Sequence, residues 1–379
     1  MVKFYATTNR GLEDVAAREV EELLGVEAHA GVGRVVFEAE LRDGVKLNLA
    51  SRTLHRVVLV LRECRVKGLD DVYEEACSID FTGLIERGQS FAVRAERVGV
   101  HDFTSLDLAA KVGQAVIDSY MRSCGHRLKV DLKDPDVVVQ CLLRGEELTI
   151  GLDLTGPSLH MRNYRVYDHP AALRSTIATS MLKLAGWRPG EALLDPMCGG
   201  GTIIVEAALM ARGVPPGVFR RSFAYRRLAF VDPDVEVEVA EGLFKEVSVD
   251  IYPILGIDCS AKHLEGARRN AASAGVADTV KLEVGDVFKL AHSLSYKPGL
   301  IVTNPPYGVR SGPSVKRIGG FYAKMLRGMK EAAGGARALI ITASRSRLIE
   351  AAEEVGVEVE WSRPVMHGRL QAHILALRL

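Results

Sequence analysis

No apolar run in this chain approaches the roughly 18 to 20 residues that a membrane helix needs. The first ten residues, Met1 to Arg10, lack the apolar core of a secretory signal, so a cytoplasmic, reducing setting is the expectation. Cysteine is sparse: Cys64, Cys77, Cys124, Cys141, Cys198 and Cys259 are scattered without a C-x-x-C spacing, which argues against a zinc site or a disulfide framework, and no metal is expected. Only four Gln and five Asn occur beside abundant Arg, Glu and Val, a bias found in thermophile proteins. Fixed-period repeats, heptads and low-complexity tracts are missing too, which leaves an ordinary globular chain of 379 residues with room for two or three domains.

Net charge is almost absent as well, at +1, which excludes a uniformly basic nucleic-acid binder. The balance is local, however: residues 1–170 carry 22 Lys/Arg against 27 Asp/Glu, and residues 171–379 carry 27 against 21. A basic and aromatic segment, Phe219-Arg220-Arg221-Ser222-Phe223-Ala224-Tyr225-Arg226-Arg227, pairs cations for phosphates with rings for stacking. Arg220, Arg221, Arg226 and Arg227 are therefore candidate RNA contacts; an exposed basic loop without a ligand is the alternative.

Periodicity divides the chain. Phe4–Thr8, Gly11–Leu24, Arg34–Glu38, Asp43–Ser51 and His55–Arg62 alternate strand and helix, a small α+β unit. A second unit has a strand at Ser90–Arg97, a helix at Thr104–Ser123 opened by a Thr104/Asp107 capping box, and strands at Leu128–Asp131, Val137–Leu142 and Leu148–Leu154. Gly156–Asp168 shows no period and reads as a connector. Beyond it, helices alternate with short, wholly apolar strands, the pattern of a doubly wound, mostly parallel sheet. Val357–Trp361 and His373–Leu379, joined near Gly368, predict a terminal hairpin that adds an antiparallel strand.

Asp195-Pro-Met-Cys-Gly-Gly-Gly-Thr202 lies between a strand and a helix, where ligands of open α/β sheets bind and glycines admit them to the backbone. Asp258 ends the next strand and Asp286 follows the one after. An ionised carboxylate at the first position can accept both hydroxyls of a ribose, and one at the second can accept an adenine amino group. Each alone can be an Asx turn or a cap. Three carboxylates at three successive strand ends favour a nucleoside cofactor, and the gap to Asp258 is far longer than the roughly 20 residues of a dinucleotide fingerprint.

Asn304-Pro305-Pro306-Tyr307 follows another buried strand, Leu300–Thr303. Two prolines hold the backbone extended, so the Asn304 side-chain oxygen and the Pro305 carbonyl can both accept from one planar amine, with Tyr307 as a stacking face. An aromatic exocyclic amine is a poor nucleophile, and fixed acceptors hold it as charge develops during displacement of a methyl group from a sulfonium. On this reading the ring of Tyr307 matters and its hydroxyl does not, so Tyr307→Phe is expected to be tolerated.

Together these motifs resemble the tRNA guanine-N2 methyltransferases that carry a THUMP domain, and the resemblance spans nearly the whole chain. It implies an N-terminal ferredoxin-like domain at 1–60, a THUMP domain at 61–155 that binds the CCA end of tRNA, a linker at 156–170 and a Rossmann-fold methyltransferase domain at 171–379. It also implies S-adenosylmethionine as cofactor and N2-methylation of a tRNA guanine, guanine 6 of the acceptor stem in particular, with neither a membrane nor an obligate protein partner. The segment His169-Pro-Ala-Ala-Leu-Arg-Ser-Thr176 is similar to one that contributes to the family's cofactor pocket. The expected cofactor residues are thus Thr176, Asp195, Met197, Cys198, Gly199, Gly200, Gly201, Thr202, Asp258, Cys259, Asp286, Val287 and Asn304, and the catalytic set is Asn304, Pro305 and Tyr307. Gly200 stands where the family often has Ser and is expected only to loosen the loop. Because Asn-Pro-Pro-Tyr handles any exocyclic amine, an adenine-N6 or cytosine-N4 methyltransferase remains open, as does a noncatalytic RNA-binding module. All the chemical motifs follow residue 168, so a fragment starting near 165 is expected to fold and bind cofactor.

Overall fold

A computed structural model describes residues 1–292, 294, 296–308 and 317–379. All the residues singled out above lie within them.

The first half supplies β1 (Val2–Thr8), α1 (Glu13–Leu24), β2 (Ala28–Gly31), β3 (Arg34–Ala39), α2 (Leu41–Ala50), β4 (Leu54–Arg65), α3 (Leu69–Cys77), β5 (Ser90–Val98), α4 (Ser105–Cys124), β6 (Lys129–Val130), β7 (Val137–Arg144) and β8 (Glu147–Asp153). Helix α1 buries Val15, Ala16 and Val20 at helical spacing and stops at Gly25, whose φ of 71° favours glycine. Helix α4 opens on the expected box: Thr104 Oγ1 accepts from the Asp107 amide, and the Asp107 carboxylate accepts from the Thr104 amide.

These strands form one eight-stranded sheet in the order β2-β3-β1-β4-β8-β7-β5-β6. The boundary drawn at 60/61 falls inside β4, which pairs antiparallel with β1 (Phe4 opposite Leu59) and with β8 (Leu59 opposite Leu152). The two N-terminal units therefore share a continuous sheet.

The second half contributes α5 (Ser175–Leu184), β9 (Leu193–Asp195), α6 (Thr202–Ala211), α7 (Pro233–Phe244), β10 (Ile254–Asp258), α8 (Ala261–Ser273), β11 (Val280–Val284), β12 (Leu300–Thr303), α9 (Ile318–Ala333), β13 (Arg337–Thr342), α10 (Arg345–Val355), β14 (Glu358–His367) and β15 (Leu370–Arg378). Their sheet runs β11-β10-β9-β12-β13-β15-β14. Its first five strands are parallel, and β15 pairs antiparallel with both β13 and β14. Strand order reverses between β9 and β12, the switch point where open α/β sheets place their ligands. Asp195, Asp258 and Asn304 lie there, at or just past the carboxyl ends of three adjacent strands.

Two findings correct the expected modularity. The segment 156–170 is no loose linker: Arg162 is only 4% exposed and Tyr164 only 2%, and both reach Glu206 of α6, itself 0% exposed, at 3.2 and 2.7 Å. It lacks periodicity because side-chain hydrogen bonds, and not one apolar face, anchor it. The insertion after α6 leaves the methyltransferase core and joins the N-terminal one, where Phe223, Tyr225, Leu228, Val231 and Val239 pack with the first sheet. In exchange, Leu12 and Val15 join the core around α5 and α6.

Candidate cofactor cleft and target pocket

Strand β9 delivers Asp195 to the cleft floor, and the loop Pro196–Gly201 turns the chain into α6. Gly199 and Gly201 have φ of 50° and 81°, the left-handed region that glycine enters without strain. The Gly199 amide donates to Asp258 Oδ2 at 2.9 Å, and the Ser260 amide donates to Oδ1 at 2.8 Å. Each Asp258 oxygen therefore keeps a lone pair while the carboxylate fixes the Gly loop.

Residues 165–171 lie across this loop as a strap. A Cβ on Gly200 would come within 3.2 Å of the His169 Cβ, so Gly200 makes room for the strap instead of merely loosening the turn. Asn270 of α8 fastens both: its Oδ1 accepts from the Val166 and Tyr167 amides, and its Nδ2 donates to the Gly200 carbonyl. His169 meets His263 edge-on with ring centroids 4.3 Å apart, and Tyr167 Oη lies 2.7 Å from His263 Nδ1. Burial, followed by the His263 charge, lowers the His169 pKa. His169 opens the segment singled out by resemblance, but His263 carries no sequence signal, because the fold alone brings the two together.

The cleft, open to solvent on one side, measures about 330 Å³. It brings together Asp195, Met197, Cys198, Gly199, Gly200, Thr202, Asp258, Cys259, Asp286, Val287, Asn304 and Pro305. Asp286 Oδ1 accepts from the Phe288 amide at 3.0 Å, so this carboxylate is also a turn cap. Phe288 and Phe321, in edge-on contact at 5.4 Å, form an aromatic wall that the sequence reading missed. Burial raises the Asp195 pKa to about 7 although the Thr303 hydroxyl and the Met197 amide donate to it. A glycine cradle, a carboxylate with open lone pairs at β10 and an aromatic wall beside Asp286 suit a nucleoside whose ribose and base are read separately.

Asn304 stands in the wall between this cleft and a second cavity. Its Nδ2 donates to the Ala171 carbonyl at 3.2 Å, and its Oδ1 accepts from the Tyr307 hydroxyl at 2.5 Å. The loop is braced from behind, where Tyr322 Oη donates to the Pro306 carbonyl at 3.0 Å and Ser344 Oγ to the Tyr307 carbonyl at 3.1 Å. Tyr307 lines only the second cavity. Burial pushes its phenol pKa up, so it stays a donor.

Several expected residues lie elsewhere. Thr176 is fully buried and accepts from Asn9 Nδ2 at 2.9 Å, with His55 Nε2 at 3.1 Å. It ties α5 to the first sheet and does not line the cleft. Gly201 serves as the αL residue before α6 and is also outside the lining.

The basic aromatic segment is a structural clasp. Arg220 donates to the Pro157 and Ser158 carbonyls, Arg226 makes a two-bond ion pair with Glu236, and Arg227 bonds Asp134 and the Pro135 carbonyl. Phe223 and Tyr225 are buried against each other, with no ring face for a base. Only Arg221 has no such partner among the described residues. The sequence showed charge and aromatics but not the acidic partners, which lie ten or about ninety residues away.

No group of three or more His, Cys, Asp or Glu suited to a metal ion occurs, and no helix is long and apolar enough to cross a membrane, among the described residues.

Comparison with known proteins places this geometry in context. Residues 162–373 match the model of an RMKL-like methyltransferase domain, residues 66–153 a THUMP domain and residues 3–58 the RlmL ferredoxin-like domain. The chain is 43% identical to the tRNA (guanine(6)-N2)-methyltransferase of Archaeoglobus fulgidus, covering 100% of this chain and 93% of that protein. It is 39% identical to the protein of the same name from Methanocaldococcus jannaschii, covering 99% and 100%. Among solved structures, TrmN from Thermus thermophilus superposes with a TM-score of 0.74 at 26% identity, covering 100% of this chain and 99% of that one. A possible methylase from Clostridium difficile 630 gives 0.89 at 26% identity, covering 100% and 98%.

Proposed function

Because the chain belongs to the family of RMKL-like methyltransferases that carry a THUMP domain, we propose that it methylates the exocyclic N2 amine of guanine 6 in the acceptor stem of tRNA, with S-adenosylmethionine as donor. The relatives in Archaeoglobus fulgidus and Methanocaldococcus jannaschii carry that activity in their names. The cofactor supplies a methyl group on a sulfonium, open to direct displacement by an amine. Asp258 would hold the ribose through its two open lone pairs, Asp286 and the Phe288 wall the adenine, and Gly199 and Gly200 the backbone approach.

The observation that carries the proposal is that Asn304 and Pro305 line both cavities. An amine held by the Asn304 oxygen and the Pro305 carbonyl sits at the boundary of the cofactor cleft, which is the alignment that direct transfer requires. Nitrogen attack makes the amine acidic, so no general base is needed beforehand. A stem guanine has its N2 amine in a base pair and its ring stacked between neighbours, so to reach both acceptors the base leaves the helix, at a cost of a few kcal/mol, and enters beside Tyr307. We place the CCA end on the exposed face of the first sheet, where Arg10, Arg34, Arg56 and Arg144 surround one cavity of about 300 Å³.

Incubation of the full chain with an unmodified tRNA transcript and isotope-labelled cofactor, followed by mass mapping of nucleosides, tests the reading. N2-methylguanosine at position 6 supports it. Methyl label at another guanine, on adenine N6 or cytosine N4, or no transfer at all, overturns it.

A further inference from the structure

The second cavity, of about 430 Å³, shares Ala171, Ala172 and Asn304 to Pro306 with the cofactor cleft. Its remaining rim is cationic: Arg165, Arg174 and Arg369 line it, and no Asp or Glu does among the described residues. Arg165 is already engaged, with Nη2 donating to the Leu173 carbonyl and to Thr202 Oγ1. Among the described residues the guanidinium groups of Arg174 and Arg369 have no hydrogen-bond or ion-pair acceptor. The buried arginines nearby do have acceptors: Arg52 donates to the Leu209 and Val214 carbonyls, and Arg162 to Glu206, whereas Arg174 is half-buried and Arg369 exposed to solvent.

Both arginines stand on fixed supports. Arg174 is the residue just before α5. Arg369 sits on the β14–β15 turn, beside Gly368, whose φ is 67°. A Cβ on Gly368 would lie 3.6 Å from Arg174 Nη2, so the turn and the first guanidinium are packed together. Strand β14, which leads into that turn, is tied to the first half of the chain: the Met366 amide donates to the Arg10 carbonyl at 2.9 Å, and Arg363 makes two 2.9 Å bonds to Asp14 of α1. Burial first, and then the Arg174, Arg162, Arg165 and Arg220 charges, push the pKa of His160 on the same rim down to about 4. Arg174, half-buried, and Arg369, exposed on the adjoining turn, thus line one concave rim without an acceptor among the described residues, and a guanidinium fork matches a phosphate with two bonds.

We propose that Arg174 and Arg369 clamp the phosphodiester flanking the flipped nucleotide, and so set how far the base enters beside Asn304. This rests on the reading that the chain methylates a base within tRNA. The guanine carries no charge for such a pair, whereas extrusion swings the neighbouring phosphates toward the pocket mouth.

The test uses the full chain, an unmodified tRNA transcript, and Arg174→Ala, Arg369→Ala and the two lysine variants. Each alanine variant is expected to lower kcat/KM for tRNA at least tenfold and to flatten the slope of log(kcat/KM) against log salt by part of the one phosphate that the pair shares. Cofactor affinity by calorimetry and the thermal transition stay at wild-type values. The lysine variants recover the salt slope but only part of the rate, since an ammonium keeps the charge without the fork. A methylphosphonate at the linkage flanking the target guanosine lowers the wild-type rate to a similar degree and adds little to Arg174→Ala.

Wild-type kinetics in both alanine variants overturn the clamp. So does a weakened cofactor affinity in Arg174→Ala, which would assign that arginine to the cofactor carboxylate. A wild-type protein that forms no N2-methylguanosine at all removes the underlying reading, an outcome distinct from active wild type with indifferent variants.

Discussion

The Tyr307 hydroxyl donates to Asn304 Oδ1 at 2.5 Å while Nδ2 of the same amide donates to the Ala171 carbonyl at 3.2 Å. The amide is thereby oriented from both ends, with one lone pair of Oδ1 left for an incoming amine. Asn304→Ala is expected to cut single-turnover methylation by about 10² or more, as loss of one preorganised polar group does. The expectation that Tyr307→Phe is harmless changes. Losing a net hydrogen bond of about 0.5–1.5 kcal/mol should slow transfer roughly 2- to 10-fold, and Tyr307→Ala should slow it further. A wild-type rate for Tyr307→Phe at saturating tRNA and cofactor would show that the phenol does not orient the amide.

Asp258 has two tasks where the sequence suggested one. Besides facing the cleft it accepts from the Gly199 and Ser260 amides, so Asp258→Ala removes an acceptor for the ribose and a tie on the Gly loop. Charge-assisted hydrogen bonds contribute roughly 1.5–3 kcal/mol each. Cofactor dissociation measured by calorimetry should therefore rise at least tenfold, with a lower melting temperature for the protein without cofactor. An unchanged dissociation constant would remove Asp258 from the ribose site.

The order and type of the long elements were legible in the sequence because their signals are local. The apolar strands of the second sheet and the Thr104/Asp107 box each follow from neighbours within a few residues. The short pieces were not: β2 is Ala-His-Ala-Gly, without alternation, and α3 lies in a stretch whose charges conceal its buried face of Val72 and Ala76. Motif residues at strand ends converged on the cleft as expected, since β9, β10 and β12 are adjacent and parallel. Thr176, Arg220, Arg226 and Arg227 take up structural partners for one reason. Asn9, His55, Pro157, Asp134 and Glu236 are brought near them by tertiary packing, which the local sequence does not show. His263, Phe288 and Arg369 were missed because each gains its place only when distant elements meet, whereas the segment that opens with His169 was singled out by resemblance.

His55 and His160 give the fold a defined acid limit. Burial first, and then the His160 and Arg174 charges, press the His55 pKa down to about 3; His160 lies at about 4 for similar causes. Both are neutral in the folded state, while the unfolded chain takes up protons near 6.5. Below that pH the unfolded state binds more protons, so their contribution is complete above 6.5 and is lost as pH falls toward 4 and 3. Denaturant midpoints should drop across pH 6.5 to 4 in the wild type and less steeply in His160→Gln. Equal slopes would show that His160 is not held neutral.

Residues from about 165 onward, expected from the positions of the chemical motifs to form an independent unit, should not fold alone. Such a fragment loses Arg162 and Tyr164, the groups that satisfy Glu206 Oε1 at 3.2 and 2.7 Å. Thr179 alone remains, at 3.2 Å on Oε2. A fully buried carboxylate stripped of its cation costs about 3–5 kcal/mol, and Glu206 lies on α6, the helix that the Gly loop opens. The fragment also loses Arg52, which donates to the Leu209 and Val214 carbonyls at the other end of that helix. Phe223, Tyr225 and Leu228 would be exposed, since the core that covers them belongs to the first sheet. Against a typical total stability of about 5–15 kcal/mol, these losses should leave a 165–379 fragment without a cooperative thermal transition and with little cofactor affinity. Restoring residues 156–164 should repair Glu206 but not the exposed insertion, so that longer fragment should regain only part of the transition. A 165–379 fragment that melts cooperatively and binds cofactor as tightly as the full chain would show that the interleaved cores are dispensable.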